Sequence, residues 1–363
     1  MMKQNTEFGF MYHTAGSSAR TWDADFRAIS GGGFKHLVLW DKGNRFDSIV
    51  EALDLCEKHA LRVHYLVNPR YLAQQFRAQK YLRHRCIGID GGTSPYFNPF
   101  DRQTRKAVFG PHLESIMAHL GSHKALTGVF LDDTLDFDSI VSYSESDTRR
   151  FRGFLEHKYG RISRLNRSWN ANYRAWNDVR PPRIMLPWRK AWIRAWNDWC
   201  EARQQWWIEW AQDTISVVRR TQNKPTEIVL GDDWYSLRFG RDVAGGFTPR
   251  MVSLFDSFSF DYTAGLDYLD RQMTNIDRDI AMARDLAGNK GLSVFLRTAS
   301  KPGRPFPTAK TIITQTRRVL CSRVNRVYYY VYRAAPGNYA EKNCLANHPA
   351  IFKKLSDFVS RKT

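Results

Sequence analysis

Eight short apolar runs, separated by segments of helical period, constrain this chain more than any other feature. They are Glu7–His13, His36–Lys42, Arg62–Pro69, Gly128–Phe137, Glu227–Asp233, Asp256–Tyr262, Leu292–Thr298 and Arg326–Arg333. Runs of this length, rich in Val, Leu, Phe and Tyr and stopped by polar residues, read as buried strands. Between them, apolar spacing predicts helices over 22–29, 48–59, 104–120, 146–159, 188–220, 266–286, 308–321 and 348–359. Strands that alternate with helices belong to a parallel sheet with helical crossovers. Eight repeats in 363 residues fit a closed (β/α)8 or TIM barrel of the α/β class. An open doubly wound sheet is the runner-up, but the first strand-to-helix turn lacks GxGxxG. Gly31, Gly32 and Gly33 follow a helix and precede a strand, the reverse of a phosphate loop. They read as a helix C-cap and turn. No Pro/Ser-rich linker divides the chain, so 1–363 reads as one barrel domain. Residues 160–220 form an elaboration after the fourth strand: a long loop, then a long Trp-rich helix.

The formal net charge is +19, which favours anionic partners. The cations are scattered, densest at 77–85 and 149–167, and no zinc-finger or RNA-binding signature accompanies them. A solvated basic surface is therefore the first reading, and nucleic acid rests on charge alone. The five cysteines are isolated, with no CxxC pair and no disulfide framework. No run has signal-peptide or transmembrane length. A cytoplasmic chain is the default expectation, with an exported chain stripped of its signal as the alternative, and no membrane partner.

In a (β/α)8 barrel the chemistry sits where strands end, on the C-terminal face. GVFLDDTLDF is the sharpest case: an apolar run that stops at Asp132 and Asp133. Buried carboxylates are costly, so the pair belongs at a strand end, facing a cleft. The fifth strand repeats the pattern with Asp232 and Asp233, followed by Trp234, and the sixth ends at Asp261 and Tyr262. Tyr12, Trp40, Asp41, Lys42, Arg297 and Arg333 complete the expected mouth. Aromatic faces stack on sugar rings, and paired carboxyl groups are what glycoside hydrolysis requires. A single strand-end Asp is also a common helix N-cap, but two doublets are harder to dismiss together. Clustered carboxylates also suit Mg²⁺ or Ca²⁺, yet no spaced ligand motif is present, so no metal and no cofactor is expected. His13 and His64 read as structural.

Trp188, Trp192, Trp196, Trp199, Trp206 and Trp210 fall on one helical face. A sugar-stacking platform is one use of such a stripe. Docking the helix onto the barrel is the favoured one, with one residue near the mouth left to contribute to a subsite.

The stretch Ser146–Pro182 resembles the family-42 β-galactosidases. Lys158, Tyr159, Gly160, Leu165, Asn166 and Trp169 match a K-Y-G, L-N-x-x-W pattern, and Trp176, Pro181 and Pro182 match a W…PP segment. The eighth strand, NRVYYYVYRAAPG, is similar to the family strand ending F-Q-W-R, with Arg333 at the Arg. The resemblance implies an acid/base Glu after an Asn at the fourth strand's end, but here Asp133 and Thr134 stand there. It implies a nucleophile Glu at the seventh strand's end, where the nearest residue is Arg297. Neither glutamate is present. Barrel hydrolases of poly-glucosamine and galactosaminoglycan polymers also carry Asp or Asp-Asp at the fourth strand's end, a likeness confined to about ten residues.

The expectation is a glycoside hydrolase that uses aspartates, with Asp133 or Asp132 as general acid. Asp233, then Asp261, would serve as base or nucleophile. Arg297, Arg333 and Lys42 would bind an anionic group on a carbohydrate substrate. The alternative is a catalytically inactive barrel that binds glycan.

Overall fold

A computed structural model describes residues 6–41, 46–67, 83–88, 90–131, 142–183, 190–233, 248–262, 275–300, 303, 305–338 and 340–362. Its centre is a closed parallel barrel. In chain order the barrel strands are β1 (Glu7–His13), β2 (His36–Trp40), β3 (Arg62–Val67), β6 (Leu126–Leu131), β7 (Glu227–Asp233), β8 (Ser257–Asp261), β9 (Gly291–Arg297) and β10 (Arg326–Arg333). Neighbours follow chain order around the ring, and β1 pairs with β10 to close it. Outside the barrel, β4 (Arg85–Ile87) and β5 (Thr93–Phe97) form an antiparallel hairpin.

Helices cover the strands: α1 (Ala19–Gly31), α2 (Phe46–Lys58), α3 (Gly110–Leu120), α4 (Glu145–Tyr159), α5 (Ile162–Trp169), α6 (Lys190–Thr221), α7 (Ile276–Ala287), α8 (Ala309–Leu320) and α9 (Pro349–Val359). Their starts follow from local chemistry. Ser144, Asn275 and Thr308 each accept a backbone N–H of the first turn through the side chain, and Pro349 opens α9 at a position that needs no N–H. At the end of α1, Gly32 is the C-cap and Gly33 takes φ +86, as the glycine run predicts.

Two apolar layers hold the fold. The inner layer fills the barrel with Met11, Val38, Leu66, Phe130, Val229, Phe295 and Tyr328. The outer layer, including Phe10, Tyr12, Phe26 and Phe260, lies between strands and helices. The Trp stripe belongs to the outer layer. Trp196, Trp199, Trp206, Trp207 and Trp210 are all buried, so the stripe docks α6. Trp188 and the side chain of Trp192 lie outside the described residues.

The N-terminal end of the barrel holds a polar network that the sequence did not announce. Glu7 hydrogen-bonds His36 Nε2 at 2.7 Å and pairs with Arg62 and Arg326. Glu227 accepts from Arg326 Nη1 at 2.8 Å and from Ser257 at 2.6 Å, and lies 3.3 Å from His64 Nε2. His64 has room because position 128 is glycine; a Cβ there would stand 2.5 Å from its ring. Burial alone would raise the Glu7 carboxyl, but bonds and charge from His36 and Arg62 outweigh it and hold it at about 2. Burial pulls the His36 imidazole down to about 4 and lowers His64 as well.

Several expected boundaries shift. The fourth barrel strand begins at Leu126, two residues before the expected start at Gly128, and its expected end at Phe137 lies outside the described residues. The second ends at Trp40, and the expected end of the third, at Pro69, lies outside the described residues. The connection after β3 contains the β4–β5 hairpin, whose strands of 3 and 5 residues are too short for an alternation signal. The helix expected from Thr104 begins as a π-helical turn, Arg105–Phe109, before α3. There the Arg105 side chain reaches back to the Pro99 and Phe100 carbonyls. The loop after α4 contains α5, stopped by Asn170 in the left-handed region at φ 51.

Candidate active site at the barrel mouth

Strand side chains alternate between barrel axis and helices, and the two packing layers fix which is which. Phe8, Phe10 and Tyr12 belong to the outer layer and Met11 to the inner, so His13 faces inward. Phe258 and Phe260 pack outward, which puts Asp261 on the inner face. Phe295 is internal, so Arg297 is internal too, level with Tyr330 on β10. The described inner ring at the C-terminal end thus contains His13, Trp40, Asp261, Arg297 and Tyr330, each no more than 8% exposed.

These groups are organised. The His13 ring stands edge-on to Trp40 at 4.3 Å, and its Nδ1 accepts the Ala335 N–H at 3.0 Å. Arg297 Nε donates to the Ala299 carbonyl, which fixes the guanidinium at the end of β9. Asn338 Nδ2 lies 3.4 Å from the Tyr330 hydroxyl. Asp233 stands in register with Asp261 on the neighbouring strand, so the main chain brings the two aspartates side by side. Asp41 sits half-buried at the rim, and its charge adds to burial in pushing up the Tyr65 phenol. The mouth offers carboxylate, guanidinium, imidazole, indole and phenol: groups able to move a proton, hold an anion and stack on a ring.

The structure brings Trp40, Asp261 and Arg297 together, and corrects three assignments. Tyr12 does not line the mouth: its hydroxyl donates to Asp25 on α1 at 2.7 Å, and its ring packs on Phe26. Arg333 is not an anion-binding group of the mouth, because it grips both oxygens of Asp25, at 2.5 and 3.0 Å. Tyr262 packs in the outer layer, beyond the last residue of β8. Asp132, Asp133, Thr134, Lys42 and Trp234 lie outside the described residues, as do the side chains of Asp232 and Asp233. Tyr330 was missed by the strand-end reading. Its position three residues before the strand's end gave no signal, since RVYYYVYR is aromatic on both faces.

The residues that carry the family likeness have a structural role. Asp198 on α6 accepts from Lys158 Nζ at 2.8 Å, Tyr159 hydroxyl at 2.7 Å and Trp169 Nε1 at 2.8 Å. Asn166 bonds both the N–H and the carbonyl of Tyr173. The K-Y-G…L-N-x-x-W pattern is thus a clasp that holds α4 and α5 to α6. A groove of about 340 Å³ between α3 and α6 is lined by Val67, Leu131 and Trp210, which belong to the outer layer; it is separate from the mouth. Among the described residues, no three His, Cys, Asp or Glu side chains are grouped to hold a metal. No described helix is long and apolar enough to cross a membrane.

Strands and helices together define a (β/α)8 barrel protein. The β-galactosidase from the psychrophilic Marinomonas ef1 superposes with a TM-score of 0.80 at 16% identity, covering 98% of this chain and 59% of that one. The catalytic domain of a β-amylase from Paenibacillus polymyxa superposes over 100% of both chains, with a TM-score of 0.73 at 10% identity. In sequence, the β-galactosidase model of glycoside hydrolase family 42 matches residues 94–230. β-Galactosidase BgaA of Clostridium cellulovorans is 22% identical over 180 residues, 48% of this chain and 24% of that protein. The chain resembles the family-42 β-galactosidases, and spans only part of the length of these relatives.

Proposed function

We propose that the chain is a glycoside hydrolase that cleaves a glycosidic bond in an anionic glycan, using aspartates at the strand ends. The observation that carries this reading is the pair Asp261 and Arg297, buried on the inner face where neighbouring strands end. The likeness to β-galactosidases supports the reaction class. Arg297 supports the substrate class, because a guanidinium at the end of the seventh barrel strand suits a carboxylate or phosphate on the sugar. Asp133, or its neighbour Asp132, acts as general acid, and Asp233 or Asp261 as base or nucleophile. A general acid needs a raised pKa, which a neighbouring carboxylate and an aromatic wall can supply. Trp40 supplies the stacking face with Asp41 next to it in the chain, and Lys42, Asp232 and Trp234 are assigned to substrate binding from the sequence.

The test is hydrolysis of uronate- or phosphate-bearing oligosaccharides beside neutral galactosides, with products resolved by chromatography. Anionic substrates should turn over, and Asp133→Asn should lose about 10²–10⁴-fold in kcat, the usual worth of a general acid. Full turnover by Asp133→Asn rejects that residue as the acid. One observation favours a second reading, a glycan-binding barrel without catalysis: β9 ends at Arg297, where the family likeness implies a nucleophilic glutamate. Saturable glycan binding with no product on the same panel decides for it.

A further inference from the structure

Outside the barrel, on α6, Arg203 is 1% exposed. Its guanidinium carbon lies over the Phe100 ring, 5.4 Å from the centroid, and over the Trp199 ring at 5.9 Å. The two rings offer its five N–H groups no oxygen acceptor. None of Nε, Nη1 and Nη2 reaches a protein acceptor, and neither does Trp199 Nε1, one turn earlier on the same helical face. Buried polar groups are nearly always satisfied, and a guanidinium cannot shed its charge to escape the cost.

The carbonyl and carboxylate acceptors around it are already engaged. The Phe100 carbonyl accepts from Arg105 and Arg150, and the Pro99 carbonyl from Arg105. Asp147, itself 1% exposed, accepts from Asn98 and Ser144. Glu209 and Asp213 are committed to Arg105 and Arg150. None of these carbonyls and carboxylates accepts from Arg203, and of the carboxylates only Asp147 is itself buried.

We propose that Arg203 and Trp199 form a buried site for a small monovalent anion of the size and charge of chloride. A water molecule accepts hydrogen bonds but must also donate two, and the carbonyls and carboxylates nearby are taken. A halide only accepts, and its charge opposes that of the buried guanidinium. Its role is structural: it completes the packing of α6 against the segment around Phe100. The site is independent of the reaction proposed above, so neither test bears on the other.

The experiment uses the full chain in sodium gluconate, titrated with sodium chloride at constant ionic strength and followed by thermal melting. The melting temperature should rise by roughly 2 °C per decade of chloride once binding saturates. Arg203→Met removes the charge and keeps an apolar stem, a change that buried ion sites tolerate; its melting temperature should not respond. Crystals grown in sodium bromide should show an anomalous peak within hydrogen-bonding reach of Arg203 and the Trp199 indole. A refined water with no anomalous signal, or an equal chloride response in both proteins, overturns the proposal. If the variant does not fold, the bromide peak decides alone.

Discussion

On a barrel strand, a shift of one residue moves a side chain from the mouth to the helices. Tyr12 makes the point. Its neighbours on both faces are apolar or aromatic, Phe8 and Phe10 on one side and Met11 on the other, because strands of a parallel barrel are buried on both faces. Hydropathy therefore carries no contrast to orient it, and the strand-end reading placed it inward. It instead joins Asp25 and Arg333 in a cluster that ties α1 to β1 and β10. Asp25→Ala should leave a buried phenol and a half-buried guanidinium without an acceptor. The expected cost is about 3 kcal/mol, read from chemical denaturation. Tyr12→Phe, which removes one hydrogen bond and strands nothing charged, should cost about 1 kcal/mol. Neither change should alter KM, since neither side chain meets the mouth. Arg297→Lys keeps a cation there and loses the planar fork; KM for an anionic substrate should rise several-fold with little loss of stability.

At the level of elements, what was legible had a strong period. The Trp stripe on α6 repeats on one helical face, and its reading as a packed face agrees with the burial of Trp199, Trp206 and Trp210. The β4–β5 hairpin and the π-helical turn were not legible. Strands of three and five residues show no usable alternation, and the extra residue of a π turn is set by the reach of Arg105, a tertiary fact. The family-like motif was visible as a pattern, but its purpose was not, because Asp198 lies some thirty residues away on another helix. Asp198→Ala should strip the acceptor from Lys158, Tyr159 and Trp169 together. It should destabilise the protein by about 3–5 kcal/mol, seen as a large drop in melting temperature. Trp207→Ala, which opens a cavity beneath α6, should cost a similar 3–5 kcal/mol.

The whole molecule responds to pH through the network at the barrel's N-terminal end. His36 is held neutral when folded, titrating at about 4 instead of near 6.5 once unfolded. Acidification below pH 6.5 therefore favours the unfolded chain, which takes up the proton first; the loss levels off below pH 4 and amounts to roughly 3 kcal/mol. His64 acts in the same direction. Glu7, depressed to about 2, adds stability that is complete above pH 4.5 and lost as pH falls through 2. Denaturation midpoints across this range should decline in both stages. His36→Gln should flatten the upper stage and, because His36 helps hold the Glu7 carboxyl down, shrink the lower one as well. The same ring closes through β1 and β10, the first and last strands of the barrel. During synthesis β1 therefore waits for nearly the entire barrel to be made before its partner arrives. Until Arg326–Arg333 clears the ribosome, both β1 and β9 present open sheet edges, the surfaces on which strands of other chains add. Yield in the cell should depend on chaperone supply during that interval more than on the stability of the finished protein.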